Sequence, residues 1–169
     1  MEQTLRVINR MKEDGVIEDY AIGGAIAAIF YIEPFATADL DIFVAIQSEG
    51  IALDILNPIY RYLERQGYQP QNEMISIEGW TVQFLPVFNP LIEEAVKQAN
   101  ETVYNQTPIR VTRAEHLVAI MLNTGRPKDY ARMTRFLEAD VVDMEALMDI
   151  LSRHGLDGKW RENKARFLP

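Results

Sequence analysis

The segment from Asp39 to Ile46 constrains the fold of this chain more than any other part of the sequence. Leucine, isoleucine, phenylalanine and valine dominate it, and such an apolar bias is typical of a strand buried on most of both faces. Asp39 and Asp41 interrupt that pattern, and side chains at positions i and i+2 of a strand point to the same face. The segment therefore predicts an interior strand that carries two carboxylates side by side.

Short strands and helices alternate up to residue 111, and the chain is helical after that point. Strands are predicted at 20–22, 40–46, 74–77, 81–85 and 109–111. Helices are predicted at 2–14, 25–31, 51–66 with a break at Asn57-Pro58, 90–98, 112–122, 127–138, 144–153 and 157–167. Thr112 and Glu115 have the spacing of a capping box at the start of the helix 112–122.

This order of elements is typical of the α+β class. We expect a single domain over residues 1–169, with a small mixed β-sheet backed by helices in residues 1–111 and a C-terminal helical lobe in residues 112–169. A core without covalent staples is feasible at this size, since chains of about 150 residues bury roughly 68–70% of the surface that their unfolded form exposes.

The composition excludes several classes of function. Cysteine is absent and only two histidines occur, which excludes disulfides and thiolate metal sites and disfavours a His-rich zinc site. The formal net charge of −8 argues against non-specific DNA binding, which depends on neutralising many phosphates. It is compatible with a local basic site for one nucleotide or one RNA end. The longest apolar stretch, residues 25–32, is far shorter than the roughly 20 residues of a membrane span. No signal peptide is recognised, so we expect a cytoplasmic location without membrane contact.

The two aspartates and an earlier glycine pair have the chemistry of a phosphate-transfer site. Two carboxylates on one face repel each other, and a hard cation such as Mg²⁺ (or Mn²⁺) removes that cost. Gly23-Gly24 precedes a predicted helix, where a glycine turn lets a ligand approach the backbone and a helix N-terminus favours phosphate. Metal-binding carboxylates beside a phosphate cradle are the minimum needed for phosphoryl or nucleotidyl transfer. The alternative is that Asp39 and Asp41 lie on the solvated face of an edge strand.

These residues, in this order, resemble the nucleotidyltransferase superfamily, which has the polymerase-β-like fold. Gly23-Gly24 and residues 37–42 match its first motif. Residues 115–129, which include Arg126-Pro127-Lys128-Asp129, are similar to the helical lobe of minimal nucleotidyltransferases. That group includes the toxin-like subgroup of abortive-infection and toxin–antitoxin operons.

The resemblance implies a function and a set of site residues. Asp39 and Asp41 would be catalytic metal ligands for Mg²⁺ or Mn²⁺. Five residues would bind the nucleotide: Gly23, Gly24, Thr37, Arg126 and Lys128. The reaction would transfer a nucleoside monophosphate from a nucleoside triphosphate to a hydroxyl acceptor. A protein, a small molecule and an RNA end all remain open as acceptor, and the toxin-like subgroup implies a cognate protein partner.

Three positions depart from the pattern of active members, and they favour an alternative function. Gln83 occupies the position of a third catalytic carboxylate, and a neutral amide cannot act as a base. Met121 stands where a lysine is common, and Arg132 stands near the position of a further aspartate. The alternative is a catalytically impaired binding or regulatory module that keeps the fold.

Two interpretations remain open for the basic residues of the segment that begins at Arg126, and two for its aspartate. Arg126 and Lys128 either bind phosphates or belong to a solvated loop. Asp129 either complements the helix dipole or orients Arg126 through a salt bridge.

Overall fold

The computed structural model describes residues 1–34, 37, 39–46 and 55–168. Its helices and strands, in chain order, are α1 (Glu2–Glu13), β1 (Asp19–Ile22), α2 (Gly24–Ala28), β2 (Asp39–Ala45), α3 (Asn57–Arg65), β3 (Pro70–Gln71), β4 (Met74–Ile77), β5 (Trp80–Pro86), α4 (Pro90–Lys97), β6 (Asn100–Tyr104), β7 (Thr107–Val111), α5 (Ala114–Thr124), α6 (Pro127–Glu138), α7 (Met144–Arg153) and α8 (Asp157–Asn163), followed by a 3₁₀ turn at Lys164–Arg166. The predicted α+β class, with a mixed sheet backed by helices, is confirmed.

The contacts divide the chain into two compact units. The sheet unit contains Met1–Ala27 and Ala36–Thr112, and the helical unit contains Ala28–Phe35 and Arg113–Pro169. Each unit is described separately below.

The strands described in the sheet unit form one sheet in the order β3-β4-β5-β2-β1-β7-β6. The central strand β2 pairs in parallel with β5 and antiparallel with β1. β1 also pairs in parallel with β7, and the remaining neighbours are antiparallel. The sheet is therefore mixed, and both neighbours of β2 protect its backbone from solvent.

Apolar side chains of the central strands form the core of this unit. Leu40, Ile42 and Val44 of β2 are fully buried, and Val82 and Phe84 of β5 lie in register with the first two. Each such side chain stabilises the fold by about 1.5–3 kcal/mol relative to leaving it exposed. The amphipathic helices α1 and α3 contribute buried residues at helical spacing: Leu5, Ile8, Met11, Ile59 and Leu63.

The helical unit has a core of its own. Glu115 ties the start of α5 to the start of α7, because it accepts a hydrogen bond from the Asp143 N–H (3.1 Å) and pairs with Arg113 (3.2 Å). The ring of Trp160 packs on Phe167 with 4.8 Å between centroids, and Phe167 stacks on Tyr130. The largest buried apolar residues of α5 to α7 complete this core: Leu117, Val118, Leu122, Met133, Phe136, Leu147, Ile150 and Leu151.

The capping box predicted at Thr112 and Glu115 is wrong. Arg113 is the N-cap of α5, and no side chain caps it. The Thr112 hydroxyl donates instead to the Ile22 carbonyl at 2.8 Å. Glu115 is turned toward Asp143, so both members of the predicted box have tertiary partners that replace the local ones.

The sequence analysis did not predict two of the described strands, and the helices predicted at 25–31, 51–66 and 157–167 are shorter than expected. The strands β3 and β6 are polar and exposed, so they lack the apolar alternation that predicts a strand. The helix predicted at 51–66 begins at Asn57, where the break was expected, and residues 51–54 lie outside the described residues.

We expect Tyr20 to make stability sensitive to alkaline pH. Its hydroxyl donates to Asn9 Oδ1 at 2.6 Å, and burial raises the pKa of Tyr20 from 10.0 to about 12. A folded-state pKa above the unfolded one contributes stability that is complete below pH 10 and is lost as pH rises through 12. The loss amounts to roughly 2–3 kcal/mol.

Chemical denaturation of Tyr20→Phe at several pH values tests this expectation. At pH 7 the variant should lose about 1 kcal/mol because its hydrogen bond is gone. Between pH 10 and 12 its free energy of unfolding should decline less than that of the wild type. Parallel pH curves for the two proteins would contradict the assignment.

Candidate functional site

The strand β2 presents Asp39 and Asp41 on the face opposite Leu40, Ile42 and Val44. Leu40 and Ile42 are fully buried, whereas the two aspartates that alternate with them are half-buried. Alternation along a strand therefore places both carboxylates on one face, as the i, i+2 spacing requires. β2 lies in the interior of the sheet, so the alternative of a solvated edge strand does not describe this segment.

The neighbouring strand β5 adds two polar side chains to the same face. Thr81 is in register with Asp39, and Gln83 is in register with Asp41. Neighbouring strands lie about 4.8 Å apart, and paired residues point to the same side of a sheet. Gln83 thus stands beside the aspartate pair, and Thr81 is a polar neighbour that sequence reasoning missed. Its only signal was the alternation of Thr81 and Gln83 with apolar residues of β5.

The glycine pair is fixed against β2 by contacts within the sheet unit. The Gly23 N–H donates to the Asp41 carbonyl at 2.8 Å. Gly24 has a φ of +56°, and a Cβ there would overlap the Asp41 carboxylate, with its Cγ at 2.8 Å. A Cβ at Gly23 would overlap the ring of Phe43. Both glycines are therefore required by the close approach of β2 side chains to the start of α2.

Thr37 contacts the backbone of the same strand. Its hydroxyl donates to the Asp39 carbonyl at 3.4 Å, and its side chain is half-buried. Ala38, which belongs to the predicted motif, lies outside the described residues. Six of the predicted site residues therefore belong to one region of the sheet unit: Gly23, Gly24, Thr37, Asp39, Asp41 and Gln83.

A cavity of about 400 Å³ adjoins this face at Gln83. Tyr60, Glu73 and Leu85 are among the residues that line it. The Tyr60 hydroxyl donates to the Glu73 carbonyl at 3.2 Å, and burial together with the Glu73 charge raises the pKa of Tyr60. The cavity therefore presents a neutral hydroxyl at physiological pH. Sequence reasoning missed it because its lining comes from separate segments of the chain.

The chemistry of the polar face suits a hard cation. Carboxylate, amide and hydroxyl oxygens are the donors that Mg²⁺ and Mn²⁺ prefer. Among the residues that the structure describes, no group of three or more His, Cys, Asp and Glu side chains could hold a metal ion. The aspartate pair is thus supplemented on this face by neutral oxygen donors rather than by a third carboxylate.

Arg126 and Lys128 belong to the helical unit, at the start of α6. Asp129 is fully buried and accepts from Arg126 through Nε at 2.8 Å, Nη2 at 3.2 Å and the backbone N–H at 3.1 Å. The structure contains the salt bridge of the second interpretation, in which Asp129 orients Arg126. Lys128 is exposed.

Comparison with solved structures identifies the fold. An antigenic nucleotidyltransferase-like protein from Paracoccidioides brasiliensis is similar, with a TM-score of 0.53, 12% sequence identity and coverage of 98% of this chain and 91% of that chain. The chain has the nucleotidyltransferase fold. The fold that the sequence resemblance implied is therefore confirmed.

The other comparisons add little to this fold assignment. The antibiotic-resistance factor ANT(2'')-Ia, solved with adenylyl-2''-tobramycin, has a TM-score of 0.49, 14% identity and coverage of 96% of this chain and 95% of that chain. No protein-family model and no curated protein sequence matches the chain. In the part of the chain that the structure describes, none of the helices has the length and apolarity needed to cross a bilayer.

We predict that Gly24→Ala destabilises the protein more than Gly79→Ala. Both positions have positive φ, +56° and +81°, so each substitution has a backbone cost of about 1–2 kcal/mol. Nothing lies within 4 Å of a Cβ at Gly79, whereas a Cβ at Gly24 displaces the Asp41 carboxylate. The additional loss at Gly24 should be about 1–3 kcal/mol in chemical denaturation.

A double-mutant cycle with Asp41→Ala isolates that overlap. Removing the carboxylate relieves the clash, so Gly24→Ala should cost less in the Asp41→Ala background than in the wild type. Equal costs in the two backgrounds would show that the Asp41 side chain does not constrain Gly24.

Proposed function

We propose that this protein is a metal-dependent nucleotidyltransferase that transfers a nucleoside monophosphate from a nucleoside triphosphate to a hydroxyl acceptor. One observation carries the proposal. Asp39 and Asp41 share one face of an interior strand of a nucleotidyltransferase fold, with the backbone of Gly24 against the Asp41 carboxylate. Asp39 and Asp41 alternate with the fully buried Leu40 and Ile42, so the two carboxylates take no part in the apolar packing on that side of β2.

Asp39 and Asp41 would hold Mg²⁺ or Mn²⁺, since their carboxylates and the neighbouring Gln83 and Thr81 oxygens match the preference of a hard cation. The bound ion would neutralise negative charge that develops on the phosphate during in-line displacement. By the family resemblance, the phosphates would lie near the backbone of Gly23-Gly24, where the missing Cβ atoms make room for the Phe43 ring and the Asp41 carboxylate.

The proposed reaction makes one bond and breaks one. The acceptor oxygen forms a bond to the α-phosphorus, and the bond from that phosphorus to the bridging oxygen breaks. Pyrophosphate leaves with the electron pair. The acceptor proton passes to solvent, because Gln83 is a neutral amide that cannot take it. The cavity beside Gln83 is the proposed entrance for the acceptor.

A second candidate function is a nucleotide-binding or regulatory module without turnover, and Gln83 favours it. General-base assistance typically contributes 10²–10⁴-fold to a rate. Its loss would slow transfer without preventing nucleotide binding. The toxin-like subgroup, a cognate protein partner and a cytoplasmic location stay predictions from the sequence.

Both candidate functions require the proposed binding of metal and nucleotide, and this binding can be measured directly. Titration calorimetry with Mn²⁺, and thermal shifts with the four nucleoside triphosphates plus Mg²⁺, should show binding to the wild type. A ligand at 100 times its Kd raises the free energy of unfolding by about 2.7 kcal/mol. Asp39→Asn and Asp41→Asn should each weaken Mn²⁺ binding by at least about tenfold, the effect of losing roughly 1.4 kcal/mol.

Asp149→Asn is the matched control for this experiment. Asp149 is an exposed aspartate of the helical unit that pairs with Arg153 on α7, so its substitution removes one negative charge and leaves the aspartate pair unaltered. Mn²⁺ affinity that falls equally in all three variants, or in none, would refute the proposed metal site.

Gln83→Asp separates the transferase from the binding module. A third carboxylate on this face should tighten Mn²⁺ binding and, with an acceptor supplied, raise the rate of transfer. Gln3→Glu adds a charge on α1 and should change neither quantity. A wild type that transfers at ordinary rates, unaffected by Gln83→Ala, would show that Gln83 does not limit the reaction.

A further inference from the structure

The strand β6 forms one end of the sheet, and its outer edge is exposed. In the part of the chain that the structure describes, β6 has β7 as its one neighbouring strand. The Glu101 side chain is 80% exposed, and Val103 is 62% exposed. The opposite edge strand, β3, has two residues and begins at Pro70. Shortness and proline protect a sheet edge from pairing with another chain, and β6 has neither protection.

The hairpin of β6 and β7 determines which backbone groups of β6 face outward. Its two turn residues, Asn105 and Gln106, have φ of +45° and +70°, as a type I′ turn requires. The residues that flank such a two-residue turn, Tyr104 and Thr107, form a hydrogen-bonded pair. Hydrogen-bonded and non-hydrogen-bonded pairs then alternate along the two strands.

Glu101 and Val103 belong to the non-hydrogen-bonded pairs of this hairpin, so their N–H and C=O groups point away from β7. A hydrogen bond on the other side of β7 agrees with this assignment. The Thr112 N–H donates to the Ile22 carbonyl of β1 at 3.0 Å. Arg110, two residues earlier, therefore also directs its backbone toward β1 and away from its register partner Glu101. Two N–H and two C=O groups of β6 thus face outward from the edge of the sheet.

These outward groups are complementary to those of a second copy of β6. When two β6 strands run antiparallel with Thr102 opposite the partner's Thr102, Glu101 lies opposite the partner's Val103, and Val103 opposite the partner's Glu101. Each of these two pairs exchanges two N–H···O=C bonds, so every outward group is used. A register with Glu101 opposite the partner's Glu101 would oppose like charges directly. A register with Val103 opposite the partner's Val103 would place Glu101 against the turn residue Asn105.

The charges near this edge are compatible with the register centred on Thr102. Glu101 is the one charged residue in the segment 100–108, and its carboxylate pairs with Arg110 at 2.8 Å. Asp19 also contacts Arg110, at 3.2 Å, and pairs with Lys12 at 2.7 Å. The two Glu101 residues of a dimer would be diagonal neighbours about 7–8 Å apart, each with its own Arg110. Threonine opposite threonine is a favourable cross-strand pair.

We propose that β6 is a dimerisation edge, through which two copies of this chain pair antiparallel about Thr102 and join their sheets across a twofold axis. Pairing through one five-residue strand makes a small interface, so we expect a reversible equilibrium between monomer and dimer. β1 and β7 separate β6 from β2, and the pairing uses none of the candidate site residues. The inference is therefore independent of the proposed function.

Sedimentation velocity over a concentration series tests the dimerisation edge. Thr102→Lys and Thr102→Glu each place like charges at the twofold axis. Each should weaken self-association about fivefold, the scale of one contact between unit charges near 4 Å in water. An equimolar mixture of the two variants places opposite charges there and should associate more tightly than either variant alone. Gln71→Lys and Gln71→Glu make the same change at an exposed residue of the other edge strand and should leave self-association unchanged.

Val103→Pro tests the backbone pairing directly. It removes an outward N–H and leaves the hydrogen bonds to β7 in place, so the melting temperature of dilute protein should stay close to that of the wild type. Symmetry removes two of the four hydrogen bonds of the dimer, so association should weaken about tenfold. In the wild type, amide hydrogen exchange at Glu101 and Val103 should slow as concentration rises. The Thr102 amide, which bonds to Ile109 of β7, should be protected at every concentration.

Three results would overturn the proposal. A wild type that stays monomeric up to about 1 mM would leave β6 as an edge for a strand of a different protein. A dimer that neither Val103→Pro nor the Thr102 variants weaken would use another surface. A mixture of Thr102→Lys and Thr102→Glu that associates no better than its components would refute the register about Thr102.

Discussion

The division of side chains between the two faces of β2 determines both the core and the candidate site. Leu40 and Ile42 are fully buried on one face, and Asp39 and Asp41 are half-buried on the other. A slip of one residue in the pairing with β5 would exchange the two sets, because side chains alternate with a period of two. Burial of the apolar face therefore sets the register that places Gln83 beside Asp41.

The sequence was most informative where the side-chain pattern and local structure agree. The helices α6 and α7 and the turn at Glu78-Gly79 match their predicted bounds, because periodic apolar residues and glycine at positive φ determine them locally. The strand β6 was missed, since its hairpin turn places Asn105 and Gln106 at positive φ without a glycine. The aspartate and glycine motifs could be found in advance, but the cavity beside Gln83 is assembled only by tertiary folding.

The glycine pair and the aspartate pair are physically dependent on each other. The sequence predicts that Gly23 and Gly24 form a turn that lets a phosphate approach the backbone. In the folded chain they also make room for the ring of Phe43 and the carboxylate of Asp41. The lack of a side chain at Gly24 thus allows Asp41 to stand beside the start of α2. One local feature of the backbone therefore determines where a proposed metal ligand stands.

Gln83 has a consequence for folding as well as for the proposed reaction. Two carboxylates on one face already repel, and a third in register with Asp41 would increase the repulsion wherever no cation compensates it. An amide at this position lowers that cost and keeps an oxygen donor on the face. Compared with a carboxylate, glutamine lacks the charge that would attract a cation and the base that would accept a proton. If the proposed metal site is correct, Gln83 favours a stable sheet with weak cation binding over a sheet whose charge depends on the cation.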